Sequence, residues 1–194
     1  MKTEYEAKFL NVEIDKVREL LQQVGAKLEK PMRLMRRVTI ENEDLIAKNG
    51  FVRVRDEGDR TTMTYKQFDD LSVDGAKEYE IIVSSFDDAV ALLGAAGLPY
   101  QSFQESKRET WVWNDVEIVI DEWPWLKPYI EIESSSKERV MDFAEKLGYN
   151  WNDAVFGDVM AAYRAEYPHL ALNDTVGRVA EVRFGDPLPD LLKG

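Results

Sequence analysis

Glu4-Tyr5-Glu6-Ala7-Lys8 puts three charges at alternate positions near the start of the chain. Alternate side chains of a β-strand share a face, so Glu4, Glu6 and Lys8 line one side, and Tyr5, Ala7 and Phe9 the other. Paired acids return in Glu78-Tyr79-Glu80 and Glu131-Ile132-Glu133, and paired bases in Arg53-Val54-Arg55. Carboxylates gathered on one face hold hard divalent cations through oxygen. Arginine forks match phosphate oxygens, and lysine acts on them as a point charge. A metal–polyphosphate complex needs both kinds of group in one place.

The inward acids by this parity are Glu4, Glu6, Glu78, Glu80, Asp121, Glu131 and Glu133. They cannot all stay ionised in one cavity without compensating charge. Divalent cations and the bases Lys8, Arg53, Arg55, Lys66 and Arg108 could supply it. Any single E-x-E also fits the water-facing side of an exposed sheet. Repetition across strands weakens that alternative, because helices along the same chain compete for the apolar face.

Composition narrows the chemistry. There is no cysteine and only one histidine, His169, so thiolate and His-rich metal sites are excluded and a carboxylate-held Mg²⁺ or Mn²⁺ is favoured. Absent cysteines also fit a reducing, cytoplasmic setting. The net charge of −12 argues against duplex nucleic acid as a partner. No apolar run reaches the ~18 residues of a membrane span, and the N-terminus lacks the apolar run of a signal peptide. A homodimer is left open.

Eight strand-like segments must position these charges: roughly 3–10, 33–40, 51–56, 60–67, 76–84, 106–113, 116–122 and 128–134. Asp56-Glu57-Gly58-Asp59 and Asn114-Asp115 read as hairpin turns, hence antiparallel pairing. Helices are expected over 13–24, over 86–96 behind a Ser85–Asp88 capping box, over 137–147 behind Ser135 with Glu138, and over about 153–166. They would cover the apolar outer faces. The expected fold is α+β: an eight-stranded antiparallel barrel with helices outside and an interior wide enough for one small ligand. Residues 1–167 form that domain. Residues 168–194, with little periodicity, read as a C-terminal extension packed on the body or partly disordered.

The ordered set Glu4-x-Glu6-x-Lys8, Arg53-x-Arg55, Lys66, Glu78-x-Glu80, Arg108, Asp121 and Glu131-x-Glu133 resembles the CYTH superfamily, the triphosphate tunnel metalloenzymes, over about residues 2–165. That resemblance implies an eight-stranded tunnel that binds triphosphate with Mg²⁺ or Mn²⁺. Glu4, Glu6, Asp121, Glu131 and Glu133 match its metal-holding acids. Lys8, Arg53, Arg55, Lys66 and Arg108 match its phosphate-holding bases. Glu78 and Glu80, with Lys8, are the catalytic candidates, the acids positioning the attacking water. The expected function is metal-dependent hydrolysis of inorganic triphosphate, thiamine triphosphate or a nucleoside triphosphate. A class IV-type adenylyl cyclase, making cyclic AMP and pyrophosphate, and a non-catalytic polyphosphate- or nucleotide-binding module are the alternatives.

Met35-Arg36-Arg37-Val38-Thr39-Ile40 departs from the D-x-Y-x-D-like second strand of many members. Arg37 is added to the phosphate-binding candidates if its phase points it inward. The Trp123–Pro128 loop reads either as a lid or stacking platform, or as a hydrophobic cap on the barrel end.

Overall fold

A computed structural model describes residues 1–194. Its strands are β1 (Lys2–Phe9), β2 (Lys27–Ile40), β3 (Gly50–Asp56), β4 (Thr61–Phe68), β5 (Ala76–Val83), β6 (Ser102–Trp113), β7 (Val116–Glu122), β8 (Tyr129–Ser134) and β9 (Glu181–Val182). The helices are α1 (Ile14–Gln23), α2 (Glu43–Ile46), α3 (Phe86–Ala95), α4 (Lys137–Lys146) and α5 (Val159–Glu166). The sheet runs β2-β3-β4-β5-β1-β8-β7-β6, and β6 pairs back onto β2. Eight antiparallel strands thus close into a barrel, which leaves each strand one inner and one outer face. The short β9 joins β6 in parallel.

Turn chemistry sets the pairing. Gly58 (φ +90°) and Asn114 (φ +56°) take the left-handed conformation at the two hairpins read from sequence. Outside, Val17 and Leu21 of α1 and Val140 and Phe143 of α4 pack on Ala7, Ile118, Ile120, Ile130 and Ile132. On the other flank, α3 lays Phe86 and Leu93 over Val38, Ile40 and Val54. A third cluster closes one barrel end, where Trp123, Tyr129 and Tyr163 meet Val176, Val182 and Leu192. Truncating a fully buried outer-face residue such as Ile132 leaves a cavity in this packing. Ile132→Ala should cost about 2–5 kcal/mol in a denaturant melt.

Several elements differ from the sequence expectation. The strand expected at 33–40 begins at Lys27, and it carries Pro31 where its register with β6 is irregular between Leu28 and Arg33. β6 begins four residues earlier than expected. The N-cap of α4 is Ser136, not Ser135, whose hydroxyl instead donates to Asp115 (3.1 Å). The single helix expected over 153–166 is split: Val155 bridges to Lys8, Gly157 turns at φ +104°, and Asp158 caps a fresh helix. Nor do the helices cover the whole barrel, since Tyr79 and Ile81 of β5 remain exposed. Residues 168–194 pack on the body, burying Leu170, Val176, Val182 and Leu192. No helix is long and apolar enough to cross a membrane.

Candidate active site

Because the barrel shows one face of every strand to its interior, the alternating charges collect in one cavity of about 290 Å³. Only 6 of its 27 lining residues are hydrophobic, which suits a polar ligand rather than a lipid. The charges are also sorted by strand. Glu78 and Glu80 (β5), Glu4 and Glu6 (β1), and Glu131 and Glu133 (β8) stand on three adjacent strands. Arg108 (β6), Arg37 (β2), and Arg53 and Arg55 (β3) stand on three others that are also adjacent through the barrel closure. An acidic wall therefore faces a basic wall, with Lys66 on the intervening β4.

Strand register brings like charges together on both walls. Arg37 lies directly opposite Arg55, and Glu6 and Glu117 each lie opposite Glu133. Like charges in cross-strand register are destabilising unless counter-charge is supplied. Some is supplied internally. Lys66 donates to Glu4 (2.6 Å) and Glu6 (3.3 Å), and Lys8 reaches Glu6 (3.2 Å) and Glu131 (3.5 Å). Lys8 and Lys66 therefore stand among the acids rather than with the arginines.

The arginines are less well compensated. Arg37 donates to Gln104 (2.8 Å), lies over the Trp123 ring at 4.3 Å and has no carboxylate partner. Burial, together with Arg55, pushes its guanidinium down to about 10. Arg53 donates to the Thr64 hydroxyl (3.2 Å), which in turn donates to Glu80 (2.8 Å). Its Nε has no partner, and burial with Arg55 and Arg37 nearby pushes it down to about 9. Buried cations short of counter-charge mark an anion site. A further carboxylate steadies this wall: buried Glu57 accepts from Arg55 (2.9 Å) and Arg60 (2.9 Å).

On the opposite wall the carboxyls are driven apart. Burial, the hydrogen bond with Glu4 and the Glu4 charge push Glu78 up to about 8. Burial, helped by the Glu4 charge, pushes Glu133 up to about 7. Burial also acts on Glu131, but Lys8 and Arg108 outweigh it and hold that carboxyl far below the usual range. The donor set suits a hard divalent cation, being all carboxylate with no thiolate or imidazole. As it stands, no three acids converge on one point, and Lys8 and Lys66 pair with carboxylates of this wall.

A pH dependence follows from the raised carboxyls. Where the folded pKa exceeds the ordinary 4.5, the folded state holds more protons than the unfolded one between the two values. Stability contributed by Glu78 and Glu133 therefore falls as pH rises from about 5 to 8. Glu6, Glu41 and Glu117, also raised, act in the same direction. Thermal melts in EDTA should show Tm decreasing over this window, and Glu78→Gln should flatten the decrease; a rising Tm would contradict these shifts.

Most residues singled out from sequence line this cavity: Glu4, Glu6, Lys8, Arg37, Arg53, Arg55, Lys66, Glu78, Glu80, Arg108, Glu131 and Glu133. Arg37 does point inward. Asp121 does not line it. It is buried behind Arg108, whose guanidinium donates to both its oxygens (2.7 and 2.6 Å). Its observed contact is thus to hold that arginine. Trp125 belongs to the hydrophobic end cluster, while Trp123 both joins that cluster and offers its ring to Arg37. His169 sits near the C-terminus against Tyr167 and the Leu191 carbonyl, away from the cavity. Thr39, Gln104 and Asp158 line the cavity without having been expected there. Alternation counted back from the inward Arg108 to the true start of β6 would have found Gln104.

The CYTH domain model matches residues 2–153. The chain belongs to the CYTH family. CYTH-fold structures agree. PH1012 from Pyrococcus horikoshii OT3 is 23% identical, with 78% of this chain and 93% of that one covered at a TM-score of 0.65. A candidate adenylate cyclase from Vibrio parahaemolyticus is 12% identical, covering 82% and 96% at 0.71. HpAC1 from Hippeastrum, a candidate adenylyl cyclase with a reported dominant triphosphatase activity, is 16% identical, covering 84% and 96% at 0.58. At these identities the likeness speaks for the CYTH fold alone. No curated protein is significantly similar in sequence.

Proposed function

We propose that this CYTH protein hydrolyses a triphosphate-containing substrate inside the barrel with the help of Mg²⁺ or Mn²⁺. The observation that carries this is the opposition of two walls: arginines short of counter-charge facing a surplus of carboxylates. A polyanion alone would satisfy the first and repel the second; a polyanion with a divalent cation satisfies both.

In this reading Arg37, Arg53, Arg55 and Arg108 grip the phosphoryl oxygens from β2, β3 and β6, so that a chain of phosphates spans several contacts. Arg108 keeps its fork angle through Asp121, and Arg55 through Glu57. Lys8 and Lys66 reach the same space and neutralise charge that builds on the oxygens as the bridging P–O bond breaks. Glu4, Glu6, Glu131 and Glu133 are the residues that would hold the cation, which supplies charge neutralisation when bound. Glu78 and Glu80, both on β5 and facing the cavity, are placed to orient the attacking water, and Glu78, whose carboxyl burial and Glu4 push up, is more basic than Glu133 and takes the water's proton once ionised. Water adds to phosphorus, the bridging oxygen leaves with the electron pair, and orthophosphate is released.

The test is to incubate the protein with inorganic triphosphate, ATP and thiamine triphosphate, each with Mg²⁺ or Mn²⁺, and to follow ³¹P signals. Orthophosphate release is expected from at least one. Cyclic AMP with pyrophosphate would replace the hydrolase by a cyclase; binding without turnover would reduce it to a binding module.

A further inference from the structure

Two claims fall on the same carboxylate oxygens. Glu4 and Glu6 are among the acids proposed to hold the cation, yet Lys66 already bridges them. Its ammonium lies 2.6 Å from Glu4 Oε2 and 3.3 Å from Glu6 Oε2. Both carboxylates are buried, so leaving them without counter-charge would be costly. An ammonium that bridges two carboxylates does for the empty site what a divalent cation does for the filled one, with half the charge.

The position of Lys66 suits a side chain that changes partners. Its strand, β4, lies between β3, which carries Arg53 and Arg55, and β5, which carries Glu78 and Glu80. Lys66 is in register with Phe51 on one side and Glu78 on the other. To meet Glu4 and Glu6 its side chain passes over β5 to β1. A flexible four-carbon stem in an open cavity lets the amine turn to either wall. Lys8 differs. It stands on β1 in register with Glu131, is 2% exposed, and is held between Glu6 (3.2 Å) and Glu131 (3.5 Å). Of the two lysines, only Lys66 stands on a strand between the walls.

We infer that Lys66 is an exchangeable counter-ion: in the empty barrel it occupies Glu4 and Glu6, and with a divalent cation bound there it turns to the phosphate chain on the arginine wall. The two walls are thereby coupled. A lysine released from the acids finds new partners only if phosphate oxygens are present, so cation and triphosphate favour each other's binding, and the coupling is reciprocal. The inference rests on the reading of the cavity as a metal–triphosphate site.

Exchange predicts effects of opposite sign from one substitution. Glu78→Gln, which lacks the carboxylate proposed to activate water, serves as the parent so that turnover does not intrude. Mn²⁺ alone is titrated through the electron paramagnetic resonance signal of the free ion, and the Mn²⁺–triphosphate complex by calorimetry. Adding Lys66→Met should tighten Mn²⁺ alone about tenfold or more, because a charge-assisted contact no longer competes, and should weaken the complex by about as much. Adding Arg37→Met instead should leave the affinity for Mn²⁺ alone near the parent's, since Arg37 has no carboxylate partner. Lys66→Gln, which keeps a hydrogen-bond donor, takes the place of Lys66→Met if the latter does not fold. Equal gains in Mn²⁺ affinity from the Lys66 and Arg37 variants would reduce the effect to net charge. Complex binding that is tighter or unchanged would make Lys66 a fixed competitor, and unchanged Mn²⁺ affinity would make it a fixed phosphate ligand. Each of these results would overturn the exchange and leave the metal–triphosphate site standing. No binding of the complex by the parent would overturn that site, and the exchange with it.

Discussion

Glu131→Gln should lower orthophosphate release from triphosphate by roughly 100-fold or more, the upper range seen when even an outer partner of a metal ligand is lost. Glu131 stands where the two walls meet: Lys8 approaches it to 3.5 Å and Arg108 to 3.6 Å. Lys8 and Arg108 hold its buried carboxyl well below the usual carboxylate range. Glutamine keeps the shape and removes the charge. The fold should survive, because Lys8 retains Glu6 and Arg108 retains both oxygens of Asp121. A lowered Tm with unchanged circular dichroism is therefore expected beside the loss of turnover. Near-normal turnover in Glu131→Gln would mean that the acidic wall is only a hydrated surface folded inward.

Arg53→Met should move stability and affinity in opposite directions. Without ligand, Arg53 is a buried cation whose nearest carboxylate, on Glu80, is 3.6 Å away and whose Nε is unpartnered. A base whose folded pKa is depressed, here from 12.5 to about 9, destabilises the fold at all pH values below the depressed one. That cost is relieved only as pH rises from about 9 toward 12.5. At pH 7 it is fully present, so removing the charge should raise Tm. A gain of ~1 kcal/mol corresponds to roughly 2–4 °C in a domain of this size. Triphosphate affinity should fall roughly 10- to 100-fold, since a charge-assisted hydrogen bond is worth about 1.5–3 kcal/mol. Melts with and without triphosphate check both signs on one sample. A variant that is less stable in the empty state, with its triphosphate affinity intact, would assign Arg53 a structural role.

Much of this arrangement was legible in the alternation of the strands, and the reason is geometric. A closed barrel has one inner face, so parity within each strand decides inward or outward for all its residues together. That is why Glu4, Lys66, Arg108 and Glu133, far apart in sequence, could be assigned to one space. Parity does not report depth. Asp121 is on the inner face as expected, yet it lies behind Arg108 and away from the cavity. Boundaries mattered too: β6 starting at Ser102 adds Gln104, the partner of Arg37, to the inner face. The tail left no signal. Gly177 sits in a short 3₁₀ turn capped by Thr175, without hydrophobic period, and only tertiary packing through Val176 and Val182 brings them to the cavity. The Glu57 clamp was equally hidden, because Gly58 and the hairpin turn curl that carboxylate back under Arg55 and Arg60.

Calorimetric titration of Glu78→Gln, which keeps both walls but lacks the carboxylate proposed to activate water, with orthophosphate, pyrophosphate and inorganic triphosphate in the presence of Mg²⁺ addresses the two-wall site most directly. Arginines from three strands that grip one chain of phosphates require affinity to climb steeply with each added phosphate, and the climb to be blunted in Arg53→Met. Equal affinities for orthophosphate and triphosphate would contradict a polyphosphate site in the barrel.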